Sequence, residues 1–353
     1  MTASPSVSVV VVNYRTPEYA MQCVKSLLPE RIAVPNLEVV LIDNASGDNS
    51  ISLMSEGLAD LISDGFIKLM PLELNGGFGW ANNQALLMLM ARKQPPEFVM
   101  LLNPDCKIEP SAIQLLSDEL LANDKCAVAG SQLLNLDESW TGSAFRFPTI
   151  GREFVRGAGI GLVGRLLGIA PVLVTSDASC EADWVTGASC LIRTSALASE
   201  GLFDDGFFLY FEEVELMFRL READWTIHHV PASRVFHIGG ASTGLREGKT
   251  LVAPSFPLYW FQSRRRFLTL AYGPLRAWMA NLAWIAGVAI GRVRAMLNPS
   301  RSASTDIADT RQMFIHGLWP DSVDSTRAIA RVGDPVGRLP YWMNSALQKS
   351  HAE

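Results

Sequence analysis

Residues 97–105 read EFVMLLNPD, and the chain continues as CKIEP to position 110. Phe98 to Leu102 form an unbroken apolar run that stops at Asn103, Pro104 and Asp105. A strand with one face in water alternates apolar and polar residues, whereas a continuous run marks a strand covered on both faces. Runs of the same kind occur upstream as VSVVVV (7–12), LEVVLID (37–43) and FIKLM (66–70), and downstream as CAVAG (126–130). Helix-like segments separate them, so the first 130 residues predict stacked βα units with a mainly parallel central sheet flanked by helices. One spacer opens at Thr16-Pro17-Glu18, which supplies a capping hydroxyl, a proline suited to the first turn and an acid suited to the positive end of the dipole. Tyr19, Cys23, Val24, Leu27 and Leu28 then share one helical face, and Pro29 ends it.

In open α/β sheets ligands bind beyond the carboxyl ends of the strands. Those ends are polar here: Asn13-Tyr14, Asp43-Asn44-Ala45-Ser46, NGGFGWANN (75–83) and Asn103-Pro104-Asp105. Ordinary turn chemistry accounts for any one of them, but four together imply a shared crevice. NGGFGWANN places its glycines at 76, 77 and 79, which is not the G-x-G-x-x-G of a dinucleotide site.

Composition narrows the classes. The 353 residues are 48% hydrophobic and 19% charged, a globular balance. A net charge of -6 gives no broad basic footprint for nucleic acid. Five cysteines without a C-x-x-C pair argue against a disulfide framework or structural zinc and suit a reducing cytoplasm. The first residues, MTASPSVSVV, lack a basic segment followed by a long apolar one, so export is not expected.

The second half carries GLFDDGFFLYFEEVELMFRLREADW (201–225), in which Glu212 and Glu213 precede an apolar helix and come after Phe207, Phe208, Tyr210 and Phe211. Acids set among rings sit in a partly dry cleft, where a carboxylate is tuned as a base. Glu215 and Arg219 have the i,i+4 spacing of a structural ion pair. VPASRVFHIGGAST (230–243) carries His237 out of a strand-like run into a glycine turn, with Asp105 as its expected partner.

In this order, VVVVNYRTPEY (9–19), LIDNASGDNS (41–50), NGGFGWANN, LLNPD (101–105), WVTGASCLIR (184–193), the 201–220 segment and FHIGGAST (236–243) resemble the family-2 inverting glycosyltransferases of GT-A fold, in particular the bacterial rhamnosyltransferase-like branch. The resemblance spans about residues 7–245. It implies a nucleotide-sugar donor site built from Asn13, Tyr14, Asp43, Asn44, Asn75, Gly77, Phe78, Asn82, Asn83, Asn103 and Asp105. Asp43 stands for the aspartate that accepts a pyrimidine N3–H. Asp105 stands for the acid that holds a divalent cation, Mg²⁺ or Mn²⁺, with His237 completing the metal shell and Asn103 replacing the first acid of the stricter motif. Trp80 and Ala81 stand where glycines are common. Glu212-Glu213 replaces the usual Glu-Asp, making Glu213 the base, and Asp204, Asp205 and Trp184 fall on the acceptor side. The implied reaction moves a sugar, rhamnose from dTDP-rhamnose first and a UDP-hexose or UDP-N-acetylhexosamine otherwise, to a polysaccharide or polyprenyl-linked glycan. A catalytically inactive, membrane-associated glycan-binding scaffold is the reading from a different class.

Two segments remain. REFVRGAGIGLVGRLLGIAPVLV (152–174) reads as a core element or as a mobile lid. FQSRRRFLTLAYGPLRAWMANLAWIAGVAIGRVRAML (261–297) joins an arginine cluster to an apolar, Trp-rich helix. Ala277 to Gly291 are 15 uncharged residues, fewer than the roughly 20 that cross hydrocarbon, so spanning is not expected. Arg264, Arg265, Arg266, Arg276, Arg292 and Arg294 suit an anchor on an anionic inner leaflet, with packing on the catalytic domain as the alternative. The expected organisation is a catalytic domain over 1–250, with a nucleotide-sugar half to about 130 and an acceptor half beyond, a basic apolar helical extension over 251–300, and a tail over 301–353 without an assigned role. The expected location is cytoplasmic, at the inner face of the membrane.

Overall fold

The computed structural model describes residues 5–159, 161–238, 256–297, 307–318 and 326–343. The glycine turn after His237, expected from 239 on, lies outside them. Along the chain run β1 (Val7–Asn13), α1 (Pro17–Ser26), α2 (Glu30–Ala33), β2 (Leu37–Asp43), α3 (Ser50–Gly57), α4 (Ala59–Ser63), β3 (Ile67–Pro71), α5 (Phe78–Met90), β4 (Phe98–Leu102), β5 (Cys106–Ile108), α6 (Ala112–Ala122) and β6 (Cys126–Leu134). Next come β7 (Ala144–Phe145), α7 (Ile150–Ala158), α8 (Gly161–Leu166), β8 (Leu173–Val174), β9 (Cys180–Ala182), β10 (Trp184–Val185), β11 (Ser189–Arg193), α9 (Thr194–Glu200), α10 (Glu212–Glu222) and β12 (Thr226–His237). The last helices are α11 (Leu258–Tyr272), α12 (Pro274–Leu297) and α13 (Ile307–Leu318).

The main sheet has the order β3-β2-β1-β4-β11-β6-β12-β5. β3, β2, β1 and β4 are parallel neighbours, and β12 runs parallel to β6. β11 is inserted antiparallel between β4 and β6. The continuous apolar runs reflect burial on both faces. Val7, Val9, Val11, Val39 and Leu41 join α1, α3 and α6 in one core layer, while Val10, Val12, Val40 and Ile42 join α5, α9 and α10 in the other.

The helical extension is packed, not free. α12 lies against α7, where a Cβ on Gly287 would come 2.3 Å from the Phe154 carbonyl and one on Gly157 2.3 Å from the Trp284 carbonyl. Residues 152–158 are thus a core element at this contact. Phe207, Val214 and Phe218 share a core with Phe267, Leu268, Ala277 and Ala280, joining α11 and α12 to the helix that carries the acid pair.

The arginine cluster is corrected by the structure. Arg264 is 1% exposed and bonded to Glu153 and Asn281. Arg266 is 8% exposed and paired with Asp204 at 2.9 Å, and Arg265 donates to the His316 carbonyl at 3.0 Å. These partners, Glu153, Asp204 and the His316 carbonyl, lie far away in sequence, so the run RRR alone does not show its burial. α12 itself extends over 24 residues and is long and apolar enough to cross a membrane by length and composition.

Residues 326–343 return to the body of the protein. Leu202 donates to the Ala330 carbonyl at 2.9 Å, and Ala330 to the Phe203 carbonyl at 3.2 Å.

Candidate active site

β4 ends in a tight turn. The Cys106 amide donates to the Asn103 carbonyl at 3.1 Å, closing a turn whose second position is Pro104, where the ring pre-sets the required φ. The turn reverses the chain into β5, which pairs antiparallel with the end of β12 so that Cys106 sits opposite His237. Asp105 is thereby brought to His237, with Oδ1 3.2 Å from Nε2.

A cavity of about 470 Å³ opens at this pair. Tyr14, Asn44, Asn75, Gly77, Phe78 and Asn103 line it together with Asp105, His237, Glu212 and Glu213. Asn13 and Asp43 stand next in chain to two of these, as paired terminal residues of β1 and β2, and both are buried. Asp43 Oδ1 accepts from Asn13 Nδ2 (2.8 Å) and from the Ser46 hydroxyl (2.6 Å), and Oδ2 accepts from the Ser46 amide (3.0 Å). A carboxylate offers about four lone-pair sites, so one on Oδ2 is left over. Asn75 Oδ1 accepts from Asn44 Nδ2 (2.8 Å) and the Gly77 amide (3.1 Å), which ties the loop before α5 to the end of β2.

That loop is locked to the aromatic run. Gly77 has φ +92°, and a Cβ there would lie 1.9 Å from the Phe208 carbonyl. The same carbonyl accepts from the Phe78 amide at 3.0 Å. Tyr210 and Phe211 then take left-handed φ values of 68° and 66°. Each costs a non-glycine residue about 1–2 kcal/mol. This strained pair turns the chain directly into α10, placing Glu212 and Glu213 in its first turn.

The helix dipole favours negative charge at that end, while burial opposes it. Burial, with the nearby charge of Glu213, drives the Glu212 carboxyl well above the usual carboxylate range. Burial also raises Glu213, but amide donors at Val214 and Gly187 partly offset this. Each acid keeps one oxygen, Oε2, without a hydrogen-bond partner. Burial thus pushes both carboxyls toward their protonated forms, with amide donors opposing it at Glu213.

Asp105 and His237 also fit a divalent cation. Their ligand atoms, with the Cys106 sulfur, lie within 4.8 Å of one another. Cys106 is turned toward the Ala188 carbonyl at 3.5 Å and its thiol is raised well above its ordinary range by burial. That leaves a carboxylate and an imidazole, a donor set suited to Mg²⁺ or Mn²⁺.

Several expected residues lie elsewhere. Asn83 is fully buried and clamps the Phe203 carbonyl (2.9 Å) and Asp205 (2.7 Å). Asn82 donates back to the Phe78 carbonyl within α5. Neither lines the cavity. Asp204 and Asp205, expected on the acceptor side, are buried at 0% and 1% exposure and paired with Arg266 and Arg338. Trp184 stacks on Phe145 with ring centroids 4.2 Å apart, away from the cavity wall. Trp80 is buried and donates to the Arg338 carbonyl at 2.8 Å. Glu215 and Arg219 form the expected pair at 2.9 Å. Conversely, Tyr259 of α11, which no motif marks, and the Thr186-Gly187-Ala188 turn, which lies in the WVTGASCLIR motif without having been assigned to the site, line the cavity. Trp342 donates from Nε1 to the Gly76 carbonyl (3.0 Å) and packs edge-on to Phe208. Only the aromatic character of Tyr259 and Trp342 hints at this in the sequence.

Residues 8–158 match the family described as Glycosyl transferase family 2. Residues 8–158 form a family-2 glycosyltransferase domain. Over 292 residues the chain is 25% identical to the N-acetylglucosaminyl-diphospho-decaprenol L-rhamnosyltransferase of Mycobacterium tuberculosis, covering 78% of this chain and 89% of the relative. Rhamnosyltransferase WbbL of Escherichia coli is 27% identical over 169 residues, 46% of this chain and 60% of that one. The chain is also similar in fold to the mannosyltransferase PcManGT of Pyrobaculum calidifontis, solved with GDP-Man and Mn²⁺ (TM-score 0.57, 15% identity, 90% of this chain and 88% of that one). It resembles Staphylococcus aureus TarS with UDP-GlcNAc as well (TM-score 0.52, 14% identity, 88% and 79%). These likenesses and the sheet order together give the glycosyltransferase its GT-A fold.

Proposed function

We propose that this glycosyltransferase is an inverting, metal-dependent enzyme that moves rhamnose from dTDP-rhamnose to a polyprenyl-diphosphate-linked glycan at the inner face of the membrane. The observation that carries the reading is that Glu213 and the Asp105–His237 pair line one cavity. The relatives named rhamnosyltransferases support the sugar and, in the mycobacterial case, the lipid-linked acceptor.

In this reading the remaining lone pair of Asp43 takes the N3–H of the pyrimidine, and Tyr14, Asn44 and Asn75 line the nucleotide end. Asp105 and His237 would hold the cation, which would supply positive charge at the leaving diphosphate. Glu213 accepts the proton of the acceptor hydroxyl as the new C1–O bond forms and the C1–O bond to phosphate breaks, on the face opposite the leaving group. Glu212, whose burial and neighbouring charge favour its neutral form, stands beside the base. Relative to an aspartate, the extra methylene of Glu213 advances the carboxylate by about one carbon–carbon bond, a shift large enough to matter for rate.

The test is calorimetric titration of the protein with dTDP and UDP, with and without Mn²⁺, beside Asp105→Ala. Binding that needs Mn²⁺ and is lost in the variant is expected, with dTDP the tighter ligand. Absence of binding by a folded protein overturns the reading. Tighter UDP binding transfers it to a UDP-sugar donor.

A further inference from the structure

The arginine run of α11 is internal, yet α12 presents a surface of its own. At 3.6 residues per turn, successive side chains are about 100° apart around the axis. On that wheel Ala277, Ala280, Asn281, Trp284, Gly287 and Val288 are the buried side, packed toward α7, α11 and α13. The opposite side is exposed and apolar without interruption: Leu275, Met279, Leu282, Ile290 and Val293 are each 42–69% exposed. Trp278, Met296 and Leu297 widen the same stripe, with exposures up to 81%.

The charges of this helix fall on the two borders of the stripe. Arg276 and Arg294 sit about 100° to one side of its centre and Arg292 about 100° to the other; Arg276 is exposed, while Arg294 also donates to the Ala158 carbonyl at 3.3 Å and Arg292 to the Thr310 hydroxyl at 2.8 Å. No Asp or Glu occurs anywhere from 248 to 305. A continuous apolar strip edged on both sides by cations is the pattern of a helix lying in a membrane interface, its apolar residues among acyl chains and its arginines at anionic headgroups.

The same helix is unsuited to crossing. Its buried side holds Asn281, bonded to the Gly317 carbonyl at 2.8 Å and to Arg264, which is itself paired with Glu153. Crossing would carry α7 and α11, with Glu153, Arg152, Arg156 and Arg265, into hydrocarbon.

We propose that the exposed stripe of α12 is a docking surface for an anionic lipid bilayer, which α12 enters parallel to the membrane plane. The surface stands independently of the sugar-transfer reading, since it is defined without reference to the cavity.

The experiment is flotation of the full chain with phosphatidylcholine vesicles and with vesicles containing phosphatidylglycerol, for wild type, Leu282→Asp/Ile290→Asp and Arg276→Glu. The three substitutions in these two variants all change exposed residues, and circular dichroism melting checks that each variant is folded. Expected is co-flotation of wild type with the anionic vesicles only, release by a high-salt wash, at least a fivefold drop for the double variant and a smaller drop for Arg276→Glu. Wild type that stays with the bottom fraction, or a folded double variant that floats equally well, overturns the proposal. Retention through high-salt and alkaline washes overturns the in-plane placement. A wild-type dimer in solution that the double variant dissociates, without vesicle binding, assigns the stripe to a second copy of the chain instead. Neither nucleotide binding nor turnover enters these readouts.

Discussion

Glu212 and Glu213 are neighbours in sequence, both raised by burial, and the proposed base role falls to Glu213. Glu213→Gln keeps size and hydrogen bonding but removes the base, so turnover should fall about 10²–10⁴-fold while dTDP or UDP affinity stays near wild type. Unchanged initial rates would remove Glu213 from the base role. Glu212 makes a different prediction. Its folded-state pKa is raised, so as pH climbs past the ordinary carboxylate value of about 4.3 the unfolded chain releases this proton first and the folded state loses stability. Glu212→Gln abolishes that loss. The variant should melt above wild type at neutral pH, and the gap should close below about pH 4; a gap independent of pH would refute the assignment. At this scale the sequence was informative about chemistry and silent about partners. Asp105 and the acid pair were legible because they sit where a buried strand ends and a helix begins, boundaries at which a polar side chain reaches a crevice. Asp204, Asp205 and Asn83 were not, because Arg266, Arg338 and Phe203, which bury them, lie far along the chain.

Among elements, the strands were the most legible part of the fold. Burial on both faces leaves a continuous apolar run, and each of the five runs became a strand. β11 was not legible as a strand, since SCLIR is short and sits in no βα rhythm, although it is the element that separates β4 from β6. The α7–α12 contact was hidden for another reason: glycine-rich sequence does not say which backbone will approach it. At Gly287 the approach is specific, with the Phe154 carbonyl 2.3 Å and the Ala158 nitrogen 2.8 Å from a hypothetical Cβ. Gly287→Ala should therefore force the helices apart and cost about 1–3 kcal/mol in urea unfolding. An unperturbed midpoint would show that the helices are not in this contact in solution.

For the whole molecule, the site is assembled from both ends of the chain. Trp342 joins Gly76 and Phe208, while its amide donates to the Asp205 carbonyl at 3.3 Å. Arg338 pairs with Asp205, and Gly337 donates to Gln84 on α5 at 2.6 Å. Trp342→Phe retains the ring and loses one hydrogen bond; Trp342→Ala loses both. Nucleoside-diphosphate affinity should weaken in that order, by about tenfold for the alanine variant, with little change in melting temperature. Equal affinity in all three would free the 75–78 loop from dependence on Trp342.

The return of residues 326–343 also sets an order of events during synthesis. While residues 326–343 are still inside the ribosome, every strand of the main sheet has already been made, so the core can form before the donor loop and aromatic run are tied together. Nascent chains stalled before Arg338 should thus be protease-resistant yet unable to retain nucleotide, and competence should arrive only once residues 326–343 have emerged.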